Sequence, residues 1–517
     1  MVEAPGGRRP RPPREDGMKT GEQCRQSPPR RRAARRTHNW LAAAALGATL
    51  ADSVPAAAHG LGQRYELPVP LGVYLVGAGV AVALSFMLMA WFMGRGASTV
   101  GWTIELGGSI VGRALTGRAV RWILRLGALA GFALLVTAGL VGAQQTFKNI
   151  APVAIWVLWW VGFAFFVAFV GNVWPVLNPW ATVYDLVRGR RPPAPPMAAY
   201  PARWGVAPAV LFFVGFVWME LLWGGSEVPR SLAVAILAYS GWTWLAMGIF
   251  GRDVWLARGE LFSVYFGILG RFAPFAATSG NPRGGLVARP FALGLLVERP
   301  VPPTVTLFVL LMLASVTFDG VLETPLWATI THELREEVAA ALPASLPDQV
   351  VAAIAWAVFA ALFALVYRAF VRAMAWSVGE GAPRRNLGGF FVLTLVPIGI
   401  AYHVAHYHSL LLVAGQYAIP LLSDPFGFGW DLFGTTLYRV DFSVVNAASI
   451  WYLSVGAIVV GHVIAVYLAH VMALRVYGDA RIALRSQIPM LVLMVVYTMS
   501  SLWILSQPVV KAGGRLT

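Results

Sequence analysis

Ten apolar runs of about 20 residues each dominate this chain, near 70–93, 122–143, 151–171, 205–223, 230–250, 303–323, 350–371, 389–412, 448–472 and 487–507. At 1.5 Å per residue, a helical run of that length crosses the ~30 Å hydrocarbon core of a bilayer. Backbone groups in lipid must be satisfied within the segment, so runs this long are helices. The fold predicted is all-α: a polytopic transmembrane helix bundle of about ten spans, with the lipid bilayer as its solvent. Composition agrees, since 58% of residues are hydrophobic and only 12% are charged. A soluble surface needs roughly twice that charge density. Two weaker stretches, 255–275 and 324–345, are amphipathic and are expected at the interface or re-entering the bundle.

The N-terminus reads as a targeting segment. A basic region (Arg30, Arg31, Arg32, Arg35, Arg36) precedes the short apolar stretch Leu41 to Leu50, and Ala56-Ala57-Ala58 follows as an A-x-A cleavage site. Residues 1–58 are therefore expected to be a disordered basic leader and cleaved signal peptide, with 59–517 forming one transmembrane helical domain. The single cysteine, Cys24, falls in the leader, so the mature chain has no disulfide chemistry. His59 becomes the mature N-terminus, where its amine and imidazole form a weak copper-chelating candidate.

A net charge of +16 is not a nucleic-acid footprint here. With His59 outside, 22 of the Lys and Arg residues beyond the leader fall in inside loops and 7 in outside segments. That asymmetry follows the positive-inside rule and predicts a bacterial cytoplasmic membrane protein with its mature N-terminus outside.

Ionisable side chains at membrane depth are costly, so each is a functional candidate. The eighth run holds Tyr402-His403-Val404-Ala405-His406-Tyr407-His408. His403 and His406 are three apart and share a helix face, while His408 faces elsewhere. Pro397 and Gly399 predict a kink just before them. Asp319 and Glu323 close the sixth run, Glu220 closes the fourth, and His462 and His470 lie in the ninth. Asp424 and Asp431 sit in the Pro- and Gly-rich stretch after the eighth. Asp319, Glu323, Asp424 and Asp431 are candidate catalytic carboxylates. His403, His406, His462 and Asp319 are candidate ligands of a divalent metal, whose bound water would become a nucleophile. Packing and turn capping are the plainer roles open to each. The segment Gly171 to Trp180, with two X-Pro steps, reads as a structural break capped by Asn178. No P-loop, G-x-S-x-G or H-E-x-x-H motif is present.

Four stretches carry a resemblance: His59 to Pro70 leading into the first run, Phe318 to Trp327 (FDGVLETPLW), Tyr402 to His408 (YHVAHYH) and Ser423 to Thr435 (SDPFGFGWDLFGT). Across most of the mature chain the sequence resembles the polytopic bacterial membrane proteins called fenitrothion hydrolase. The resemblance implies hydrolysis of organophosphorus esters, hydrophobic small molecules that partition into lipid, and carries over no catalytic residues. Two other classes stay open on the residues alone. One is a multi-span transporter or metal-handling permease. The other is a haem-binding electron-transfer protein, with His403 or His406 and His462 as axial ligands.

Overall fold

The computed structural model describes residues 67–507, apart from 94–100, 108, 110–116, 190–194, 278–284, 339–347 and 380–385. The expected leader, its cleavage site and His59 lie outside the described residues. Thirteen of the helices frame the architecture: α1 (Leu71–Met93), α2 (Arg118–Val141), α3 (Ile150–Phe169), α4 (Pro179–Arg188), α5 (Ala207–Leu221), α6 (Pro229–Phe250), α7 (Arg252–Arg258) and α8 (Leu261–Leu269), followed by α9 (Pro303–Leu322), α10 (Pro325–Val338), α11 (Asp348–Ser377), α12 (Leu387–Ser423) and α13 (Ala447–Tyr477). The last long helix, α14, covers Ala480–Ser506. Among the described residues, nine helices are long and apolar enough to cross a membrane. The fourth expected span, α5, is the exception. Its 15 residues reach about 22 Å, short of the core on helix length alone.

The all-α polytopic class holds. Among the described residues, strand structure is confined to an isolated bridge between Gly171 and Phe275 and a three-stranded antiparallel sheet of short strands, β1 (Ile104–Glu105), β2 (Phe275–Ala277) and β3 (Leu286–Ala288), in the order β1-β3-β2.

Two of the expected irregularities take definite form. α12 opens with a helical turn, tightens to 3₁₀ geometry over Val392–Leu395, and resumes as α-helix at Val396, immediately before Pro397. Proline cannot donate to the helical ladder, so the chain changes pitch ahead of it. The helix then runs on to Ser423, well past the expected end at 412, through a second 3₁₀ turn at Gly415–Tyr417. The stretch 255–275, read as interfacial or re-entrant, supplies α8, of whose nine residues seven are buried. It is an inserted element.

α8 survives inside the protein because both its ends are satisfied. Glu260 caps its N-terminus, accepting from the backbone N–H groups of Phe262 (2.9 Å) and Ser263 (2.8 Å). Arg289 caps its C-terminus, donating to the carbonyls of Gly270 (3.0 Å), Arg271 (3.1 Å) and Ala273 (3.2 Å). A carboxylate at the start and a guanidinium at the end also match the helix dipole.

Close approaches fix how the central helices meet. A Cβ on Gly461 of α13 would lie 2.3 Å from the Ala401 Cβ and 2.9 Å from the Pro397 carbonyl oxygen of α12. Only glycine permits that crossing, the small-residue packing expected of membrane helices. On α9, a Cβ at Gly320 would lie 2.3 Å from the Tyr402 hydroxyl. That contact brings the end of α9 against the middle of α12, which sets up the site described next.

Candidate functional site

Four helices deliver polar side chains to one region. α9 contributes Asp319 from its last turn, one residue before the glycine that lets it approach α12. α12 contributes His403, His406 and Tyr407, spaced 0, 3 and 4 so that all three share a face. α5 contributes Glu220 from its last turn. α3 contributes Trp160 from Val153–Phe163, a stretch of π-helix eleven residues long. π-helical geometry appears mostly as single-turn bulges, often at functional sites, so a run of this length is unusual.

The bonds form a chain across the helices. His406 Nε2 donates to Asp319 Oδ2 at 3.0 Å, and the Tyr407 hydroxyl donates to the same oxygen. His406 and Asp319 side chains are 6% and 15% exposed, so solvent screens this pair little. Trp160 Nε1 donates to Glu220 Oε1 at 2.5 Å. Glu220 lies beside the Tyr407 hydroxyl and within electrostatic range of Asp319 and His406. Glu323, one turn beyond Asp319, also acts on the His406 ring. Three carboxylates thus surround one imidazole. Burying all three as anions would leave negative charge without compensation, at several kcal/mol per ion. A carboxylate that accepts from both an imidazole and a phenol is placed for acid–base work.

His403 stands apart from this hydrogen-bonded chain. Its ring is held by aromatic edges, with centroids 4.7 Å from Tyr407, 5.4 Å from Phe165 and 6.3 Å from Trp160. Its Nε2 is buried with no hydrogen-bond partner. An imidazole nitrogen left unpaired at depth costs about 1–3 kcal/mol, a cost that invites a functional explanation. His403, Tyr407, Glu220, Trp160 and Tyr265 line a common cavity of about 50 Å³ whose other walls are mostly apolar. A water needs about 10–15 Å³ on this measure, so the cavity accommodates water beside acid, base and phenol.

The expected residues therefore divide. His403, His406 and Asp319 come together, with Glu220 beside them and Glu323 close by. His462 does not join them. It is fully buried on α13, its Nδ1 is 2.8 Å from the Ile458 carbonyl oxygen, and its ring meets the edge of Tyr497 at 5.6 Å. His470 packs edge-on against Phe86 at 5.9 Å, and His408 Nδ1 is 2.9 Å from the Val404 carbonyl oxygen. Asp424 accepts from the backbone of Phe428 (2.9 Å) and Gly429 (2.6 Å), and Asp431 from that of Thr436 (3.2 Å). Both carboxylates are spent on ordering their own loop. Asn178 caps α4 as expected, accepting from Ala181 N–H at 2.9 Å.

The donor arrangement bears on the divalent metal considered above. Among the described residues, no group of three or more His, Cys, Asp or Glu side chains is placed to hold a metal ion. Asp319 is instead engaged by His406 and Tyr407.

Three residues of consequence escape a reading of the sequence. Tyr407 sits inside the histidine motif but was not among the candidates, although its place four residues after His403 put it on the same face. Trp160 is one of 21 tryptophans, and nothing local distinguishes it. Glu260 is fully buried and lay in a stretch read as amphipathic. Comparison with known protein families, curated proteins and solved structures finds no match.

Proposed function

We propose that this integral membrane protein belongs to a bacterial cytoplasmic membrane, with its mature N-terminus outside, and that its buried acid–base site hydrolyses a lipophilic ester. The observation that carries this reading is the pairing of His403, whose Nε2 is unbonded, with the hydrogen-bonded chain Tyr407–Asp319–His406 at one cavity of about 50 Å³. His403 is the base. It takes a proton from water as the water oxygen bonds to the electrophilic centre. Tyr407 is the acid. Its O–H, which donates to Asp319 at rest, turns to protonate the departing aryloxide or alkoxide, and the tyrosinate regains a proton as His403 returns the one it took from water, while Asp319 and His406 hold the phenol in place. Glu220, held by Trp160, orients the water. General acid–base catalysis of this kind contributes about 10²–10⁴-fold in rate. The family resemblance narrows the substrate to organophosphorus triesters, where the bond broken joins phosphorus to the aryl oxygen. The products are then a phosphorus diester and a phenol.

The test is direct. Purified protein in phospholipid nanodiscs is given fenitrothion, and phenol release is followed by absorbance. The reading expects turnover above empty nanodiscs, and its absence overturns the hydrolase assignment.

A second reading has one observation of its own. The chain from Tyr407 through Asp319 to His406 leads away from the cavity into the α9–α12 contact, as in the proton relays of transporters. Proton-coupled transport would appear as substrate uptake into liposomes driven by a pH gradient, with the substrate recovered unchanged.

A further inference from the structure

A larger cavity lies on the other side of the aromatic wall, along a different face of α5 from the one that carries Glu220. It measures about 820 Å³ and is bounded by α2, α3, α5, α6 and α8. That places it within the ~300–1,000 Å³ range of small-molecule sites. Its mouth is on the lipid-facing surface, where Leu211 and Trp242 line it while 70% and 51% exposed.

Three polar groups of its deep walls are already committed. The Tyr239 hydroxyl donates to Glu260 Oε1 at 2.7 Å, Trp174 Nε1 to Glu260 Oε2 at 3.4 Å, and Trp180 Nε1 to the Ser240 hydroxyl at 2.7 Å. These bonds turn the heteroatoms away and leave ring faces and edges as the wall. They also make the wall rigid, because Glu260 is itself pinned by the backbone at the start of α8. Two glycines, Gly131 on α2 and Gly215 on α5, keep the walls apart. A Cβ built on either meets nothing within 4 Å. A chamber that offers rigid, almost wholly apolar walls and a sideways mouth in the bilayer selects hydrocarbon.

We infer that this chamber binds one acyl chain of a bilayer phospholipid, drawn in sideways while the headgroup stays at the membrane surface. The site is separate from the acid–base centre and stands whether or not that centre hydrolyses esters.

Native mass spectrometry after detergent washing, with a phospholipid carrying a photoreactive group at its acyl terminus as the probe, tests the inference. The expected result is one phospholipid retained per chain, with photolabel concentrated on the chamber segments of α5 and α6. The double variant Gly131→Leu, Gly215→Leu fills the chamber without meeting backbone and should reduce both readouts by about tenfold or more. A control, Val358→Leu, alters an α11 side chain that is 62% exposed and should change neither. The inference is overturned if the wild-type label spreads over the exposed α11 face as densely as over the chamber, or if a folded double variant keeps its lipid. Should the double variant fail to fold, the wild-type label distribution alone decides, by the same criterion.

Discussion

Replacing Asp319 probes the α9–α12 contact where it is most polar. Asp319 accepts from both His406 and Tyr407 through one carboxylate oxygen. A hydrogen bond to a charged partner is worth about 1.5–3 kcal/mol net, and breaking a buried pair by removing one member costs about 3–5 kcal/mol. Asp319→Asn keeps the shape and one acceptor oxygen but gives up the charge, so a loss of roughly 2 kcal/mol is expected. Tyr407→Phe removes one donor and leaves His406 in place, for roughly 1–2 kcal/mol. Because the two residues share a bond, their effects should not add. The double variant should lose less than the sum by about 1–2 kcal/mol, up to the whole of the Tyr407→Phe loss. Denaturant titration of the four proteins in one detergent gives the cycle. A coupling below about 0.5 kcal/mol is the additivity expected of independent sites, and would mean that α9 and α12 do not meet as described.

Other outcomes follow from the same contacts. Gly461→Ala forces a methyl into Ala401 and the Pro397 carbonyl, and should destabilise by about 1–3 kcal/mol, read as a lower unfolding midpoint. Gly320→Ala meets the Tyr402 hydroxyl, which moves more easily than backbone, so its loss should be the smaller of the two in the same assay. Because Asp319 is spent on His406 and Tyr407, chelation with EDTA should leave phenol release unchanged within about twofold. Abolition would instead restore the divalent-metal assignment of His403, His406 and Asp319. His462→Phe should likewise spare turnover, since His462 lies outside the constellation.

Much of the architecture was legible because apolar run length is read directly by lipid. All ten expected spans correspond to helices, although α5 is shorter than a span and α12 outruns its expected end. The misjudged end has a physical cause. The expected end followed the apolar run, yet a 3₁₀ turn at Gly415–Tyr417 carries the helix beyond it. Histidine spacing placed His403 and His406 on one face. It could not say which neighbour that face meets, because this depends on Gly320 lying against Tyr402. The π-helical stretch of α3 was invisible, since Val153 to Phe163 is apolar on every side and has no periodicity to disturb. Glu260 was passed over for a related reason. An acidic residue amid apolar ones suggests an interface, and only the structure supplies the donors that make its burial tolerable. The cap at Asn178 was foreseen, whereas Asp424 and Asp431 were candidate catalytic carboxylates with turn capping as the plainer role. Asn178, Asp424 and Asp431 act within a few residues of themselves, and local chemistry is what sequence encodes most openly.

The central claim is that His403 and the Tyr407–Asp319–His406 chain act together on water at one cavity. Initial rates of phenol release from fenitrothion, measured in nanodiscs for wild type, His403→Asn, Tyr407→Phe and His470→Phe, test it most directly. The account predicts turnover in wild type, losses of about 10²–10⁴-fold in the first two variants, and a rate near wild type in the third. Equal rates in all four proteins, or none in any, would contradict it.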